Sequence, residues 1–188
     1  MDNKALIILD AQSDYFTGGK MALYKSASII LIISRMKMKF KHIFLIKDWY
    51  TIKHKSFRKN GGKNPLHCIQ HTPGARLHKF LKIDNTEYII KKGTNNNYKS
   101  NSAFYNAKRI GEQTVLNYYL YDLGIDTVYV CGLNEENSVF HTLLDAYKFR
   151  YKCYYVYDAC MGRNNDKIIK RRKFLKRIGI NYIKSDQI

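Results

Sequence analysis

Six short runs of β-branched and aromatic residues punctuate this chain, and their spacing constrains its fold more than any other feature. They are KALIILD at Lys4–Asp10, IFLIK at Ile43–Lys47, EYIIKK at Glu87–Lys92, DTVYVCG at Asp126–Gly132, KCYYVYD at Lys152–Asp158 and NYIK at Asn181–Lys184. Within each run apolarity is nearly continuous rather than alternating, as expected of strands buried on both faces in a parallel sheet. Helical spacing falls between most of them, at Ser26–Lys39, Glu112–Leu123, Glu136–Phe149 and Asp166–Ile178. Such alternation predicts an α/β fold, a three-layer α/β/α arrangement with a mainly parallel sheet and right-handed crossovers. With 188 residues and only two prolines, the chain reads as a single domain over residues 1–188.

The connection from Asp48 to Thr72 breaks the rhythm. It has no periodic pattern, and it carries three histidines, Gly61–Gly62 and Pro65. Loops this long in a compact domain are usually functional or disordered, and in open α/β sheets function gathers at the carboxyl ends of strands. Asp10, Asp48 and Lys92 stand at or just past three such ends, and Gly132 leads from a fourth into a loop carrying Ser138.

Two groupings of chemical interest follow. Asp10, Lys92 and Ser138 would bring a carboxylate, an ammonium and a hydroxyl to one rim, a set able to move a proton and hold developing charge. Ser138 also opens a helical segment, so the same residue reads as an ordinary N-cap. Asp48, His54 and His67 offer one carboxylate and two imidazoles, a reasonable zinc or iron(II) set, although histidines in a polar loop are more often surface or hydrogen-bonding residues. The segment SNSAF at Ser100–Phe104 reads only as loop, with Phe104 a core anchor or a pocket wall.

Charge is the feature most open to misreading. Thirty-three Lys and Arg against 15 Asp and Glu give a formal net charge of +18. A basic balance of this size can mark a nucleic-acid partner. The excess is mostly lysine, in a chain rich throughout in Lys, Asn, Ile and Tyr, and it reads as compositional bias rather than a phosphate-binding face. KIIKRRKFLKR at Lys167–Arg177 reads as a helix with Ile168, Ile169, Phe174, Leu175 and Ile178 inward and its charges in water. No specific nucleic-acid partner is expected. The apolar runs ALIIL and IILII are too short for a signal segment or a membrane span. Four cysteines without CxxC spacing read as reduced thiols, hence a cytoplasmic protein with no membrane partner.

Five segments, in order, resemble those of the isochorismatase-like cysteine hydrolases, and among them the nicotinamidases most. ILDAQSDYF at Ile8–Phe16 is similar to D-x-Q-x-D-F, and KDWYTIKHKSF at Lys47–Phe57 to D-W-H-x3-H-x-S-F. NPLHC at Asn64–Cys68 is similar to W-P-x-H-C, the segment from Lys91 to Phe104 to K-G…S-Y-S-A-F, and GLNEENSV at Gly132–Val139 to G-x-A-T-D-x-C-V. The resemblance implies the isochorismatase-like fold and an amidase that converts nicotinamide to nicotinate and ammonia through an acyl-enzyme. It implies Asp10 as general base, Lys92 as charge stabiliser and Ser138 at the nucleophile position. The backbone N–H groups of Asn134 and Ser138 would form the oxyanion hole, with a cis bond between Leu133 and Asn134. Asp48, His54 and His67 would hold zinc or iron(II), and Tyr15, Asn64, Asn101 and Phe104 would line the pocket for a carboxamide. Members of this family are often oligomers, so a homo-oligomer is expected.

The departures fall in the site. Ser138 stands where the family has its catalytic cysteine, and Tyr50 where it has a metal-binding histidine. Asn64 and Asn101 replace a tryptophan and a tyrosine of the substrate pocket. A thiol is partly ionised near neutral pH, whereas an alcohol must lose its proton during attack. Reduced turnover is therefore expected, and the alternative is a catalytically inactive member that binds a small molecule or a protein.

Overall fold

The computed structural model describes residues 3–84 and 86–188. Six strands form one sheet: β1 (Lys4–Leu9), β2 (His42–Asp48), β3 (Tyr88–Lys92), β6 (Thr127–Leu133), β7 (Lys152–Met161) and β8 (Asn181–Ile183). Their order is β3-β2-β1-β6-β7-β8, and every neighbouring pair is parallel. Each strand coincides with one of the six apolar runs. Leu6, Ile7, Leu9, Phe44, Leu45, Ile46, Val128 and Val130 are fully buried, which is why the runs of β1, β2 and β6 do not alternate, whereas β3, at the sheet edge, buries Ile90 and exposes Ile89, against the expectation of burial on both faces.

Helices cover both faces. On β7, Tyr154 and Tyr155 are adjacent and so point to opposite sides of the sheet. Tyr154 stacks on Tyr129 at 4.5 Å between ring centres, and Tyr129 meets Phe40, just beyond α1 (Ala27–Lys37). Tyr155 instead meets Arg172 of α4 (Asn165–Arg177), and α4 packs on α3 (Phe140–Lys148). The result is the expected three-layer architecture.

The chain runs outward through β1, β2 and β3, then returns to the middle and runs the other way through β6, β7 and β8. The order therefore reverses between β1 and β6, and their carboxyl ends open the crevice where α/β proteins place their sites. Close approach of these two strands requires Gly132. At φ 122° it adopts a backbone conformation unfavourable to L side chains, and a Cβ there would collide with the Leu9 carbonyl. Gly132→Ala is accordingly expected to cost roughly 2–4 kcal/mol, overpacking added to backbone strain, as a shift of the urea midpoint at constant slope.

Three local expectations need correction. Glu112–Gln113 does not begin a helix but pairs as β5 with β4 (Tyr105–Ala107) in an antiparallel ribbon, and α2 starts only at Leu116. The cause is the Thr114 amide, which donates to Phe104 O at 2.9 Å and keeps the chain extended past the turn at Gly111. Ile169 points outward, at 52% exposure, and Arg172 takes an inward position instead. Finally, there is no cis peptide bond among the described residues; the chain reverses through Asn134 in the left-handed region at φ 57°, which Asn tolerates.

All four cysteines are free and buried. Among the described residues no helix is long and apolar enough to cross a membrane.

Candidate active site

Asp10 follows β1 directly and sits in the left-handed region at φ 53°, an uncommon setting for a non-glycine residue. Its amide donates to Ile46 O of β2 at 2.9 Å, and its side chain is completely buried. Ser138 lies 128 positions further on, yet its hydroxyl donates to Asp10 Oδ2. The Lys92 ammonium is 3.0 Å from Asp10 Oδ1, close enough for an ion pair but without hydrogen-bond geometry, so that oxygen has no donor of its own. Lys92 also pairs with Asp48 Oδ1. The four groups form one chain of contacts, Ser138–Asp10–Lys92–Asp48, in which no member is exposed.

Whether Ser138 is a cap or a reactive group has a geometric answer. Glu135–Val139 forms a π-helical turn before α3, and the residue at the cap of α3 is Val139, which makes no side-chain cap bond. Turns of this kind are often found at functional sites. Ser138 spends its hydroxyl on Asp10, not on the helix. The turn is braced from behind by Glu135, which accepts from Tyr155 Oη and Arg172 Nε. No spacing in the sequence signals that brace.

Electrostatics divide the two carboxylates. Burial, with the Asp48 charge, pushes the Asp10 carboxyl up to about 6 against the opposing pull of Lys92 and Ser138. Asp48 goes the other way: burial alone would raise it, but Lys92, His67 and hydrogen bonds from Lys92 and Tyr15 hold it below the usual carboxylate range. Lys92 remains an ammonium, since the two carboxylates outweigh a burial that would lower it. Two titratable groups with pKa values pushed apart are the mark of assigned acid–base roles.

Two residues of the DAQSD segment support this arrangement and were not assigned roles from the sequence. Gln12 clips the end of β2, donating to Asp48 O at 2.8 Å and accepting from Asp48 N at 2.7 Å. Asp14 Oδ2 accepts from the Cys68 amide at 2.6 Å and so fixes the loop that carries His67. Their positions two and four residues after Asp10 are the signal that could have found them.

A cleft of about 180 Å³ opens over Ser138. That is below the roughly 300–1,000 Å³ of drug-sized pockets and suits a small molecule rather than a polymer. Tyr15, Asn64 and Asn101 line it, as expected, together with Asp48, Tyr50, His67, Asn134 and Ser138. Phe104 does not: it is fully buried and packs on Phe149 and Tyr151, so its role is core packing. Lys99, Glu136, Asn137 and Arg163 also line it and went unnoticed in the sequence. Arg163 reaches across to the Met21 carbonyl and closes one side.

The family model for the isochorismatase domain matches residues 4–178. The chain belongs to the isochorismatase family. It is 35% identical over 175 residues to a nicotinamidase of Acinetobacter baylyi, covering 85% of this chain and 81% of that one. The structure of a nicotinamidase pyrazinamidase of Acinetobacter baumanii superposes with a TM-score of 0.93 at 33% identity, over 100% of this chain and 98% of the other. A pyrazinamidase of Pyrococcus horikoshii, solved in complex with zinc, gives a TM-score of 0.89 at 32% identity, over 97% and 99%.

Zinc in that relative raises the question of whether the residues here fit a metal. They do not. Among the described residues no three His, Cys, Asp or Glu side chains converge to hold an ion. His54 accepts at Nδ1 from the Ser56 amide at 3.1 Å, which fixes its proton on Nε2, 3.2 Å from Tyr98 O. That leaves His54 no lone pair for an ion. Asp48 has both oxygens engaged, Oδ1 by Lys92 and Oδ2 by Tyr15 Oη at 2.6 Å. Only His67, whose Nδ1 is 2.8 Å from Pro65 O, keeps a free ring nitrogen.

Proposed function

We propose that this protein is a nicotinamidase-like amide hydrolase that uses Ser138 as its nucleophile. The observation that carries the reading is the direct hydrogen bond from Ser138 Oγ to a buried Asp10 whose pKa is pushed up to about 6. A carboxylate in its ordinary range would be a poor base for an alcohol; near 6 it is a better one and is still ionised at neutral pH. Nicotinamidase relatives and a cleft of matching scale supply the substrate, a small ring carboxamide.

The chemistry then follows from groups in contact. Asp10 takes the Ser138 proton as Oγ attacks the carboxamide carbon. Asn134 and Ser138 both line the cleft, and on the family pattern their N–H groups would hold the oxyanion, while Lys92 keeps Asp10 charged until the proton arrives. Collapse of the intermediate breaks the C–N bond, and the leaving nitrogen departs as ammonia with the proton from Asp10. A water molecule, deprotonated by Asp10, hydrolyses the acyl ester and restores Ser138. No step needs a metal.

Ammonia release from nicotinamide by the purified protein, with Asp10→Ala as control, tests the reading. Turnover is expected to fall to background in the control. In the wild type, kcat/KM is expected to rise with pH through an acid limb near 6, because Asp10 acts only when deprotonated. Turnover that persists in Asp10→Ala, or a limb at ordinary carboxylate values, would sink Asp10 as the base.

A second reading, a small-molecule binding protein without turnover, is favoured by the serine at position 138 and the polar Asn64 and Asn101 in the cleft wall. The same assay separates the two: nicotinamide that binds, by calorimetry, without ammonia release selects the second.

A further inference from the structure

Tyr50 is the residue around which the expected metal ligands are arranged. It is only 2% exposed, and its ring centre lies 4.6 Å from that of His54 and 5.3 Å from that of His67. Phe57 closes the third side at 5.5 Å. Gly93 forms the floor: a Cβ there would run into Tyr50 Cε1, so the ring presses on bare backbone. Backbone bonds keep the ring in place, with Tyr50 N donating to Cys68 O at 3.1 Å and Gln70 N to Tyr50 O at 2.9 Å.

We propose that the Tyr50 ring occupies the space a divalent ion would need between His54 and His67, and that the Tyr15 phenol and the Lys92 ammonium satisfy Asp48 in the ion's stead. Two independent features agree. The ring packs against both imidazoles, and the hydrogen-bond pattern engages the lone pairs an ion would need. Zinc needs lone pairs about 2.0–2.1 Å from one shared point. Here the His54 lone pair points to the Ser56 amide and its N–H to a carbonyl, while an aromatic carbon skeleton stands between the rings.

Metal content tests this without reference to catalysis, so its outcome is independent of the hydrolase reading. Wild-type protein dialysed with micromolar zinc and passed through gel filtration is expected to retain none, and cobalt(II) is expected to give no d–d absorption band. Tyr50→His removes the ring and adds an imidazole beside His67, and it is expected to bind about one equivalent of zinc, about 100-fold tighter than wild type. Tyr50→Phe keeps the ring and is expected to bind no better than wild type. Tyr50→Ala, which leaves room for water, is expected to gain weaker binding and serves if the histidine variant does not fold. One equivalent retained by wild type would overturn the proposal. So would the absence of zinc from both folded variants that lack the ring, since Tyr50 would then not be what excludes the ion.

Discussion

Ser138→Cys is expected to raise nicotinamide turnover by about 10²- to 10⁴-fold, the range that one well-matched proton-transfer partner contributes. The arrangement around the hydroxyl already suits a thiol. Asp10 accepts from the side chain, Lys92 stands 3.0 Å behind it, and burial holds the carboxyl at about 6. A thiol of reference pKa near 8.5 is much closer to that base than any alcohol, so less of the barrier goes into removing its proton. The substitution is close to isosteric, and 4% exposure at residue 138 leaves the change of nucleophile as the main difference. Two readouts check it: ammonia release over the pH range 5 to 9, and the rate of alkylation of the new thiol, which reports its ionisation directly. The acid limb near 6 is expected to stay where it is, because it belongs to Asp10 in both forms. If Ser138→Cys gains nothing while the thiol alkylates readily, the limiting step is substrate recognition, and the polar walls at Asn64 and Asn101 become the cause.

Why could the sequence go so far toward this site, and where did it stop? Asp10, Asp48 and Lys92 were legible because they close three apolar runs, and parallel strands put their carboxyl ends on one rim whatever the order of the sheet. The five motifs, in order, then identified the family. Contacts across large separations were not legible. Nothing in the spacing of Glu135, Tyr155 and Arg172 says that they meet, nor that Arg163 folds over Met21. Local chemistry misled in two places. Ser138 has the composition of a cap, but the π-helical turn moves helix initiation past it. His54 has the composition of a ligand, but the amide of a serine two residues away takes its lone pair. Both outcomes are set by backbone geometry of a few residues, where propensity carries little information. Tyr50 is intermediate: its departure from the family pattern was visible, while its position between two imidazoles needed coordinates.

Lys92→Met is expected to lower stability by roughly 3–5 kcal/mol at neutral pH, the cost of removing one partner from a buried ion pair. For a chain of this size each kcal/mol moves Tm by about 2–4 °C, so a fall of about 6–20 °C is expected by calorimetry. Methionine nearly matches the lysine stem in volume, so the effect is mainly electrostatic: Asp10 and Asp48, both within 3% exposure, lose their shared cation. The sign of the pH dependence discriminates this cause from simple mispacking. In the wild type, Lys92 holds Asp48 below its unfolded pKa, a contribution present above that value and lost as pH falls through the folded one. Without the ammonium, burial and mutual repulsion raise both carboxylates, which then favour the protonated, folded state at low pH and oppose folding as pH rises through their folded pKa values. The gap between wild type and Lys92→Met should therefore narrow from pH 7 toward pH 4. Adding Asp48→Asn to Lys92→Met should recover part of the loss at neutral pH, because one stranded charge is gone. A gap that is constant across pH, or a double variant less stable than the single one, would show that Lys92 is held there for packing and not for its charge.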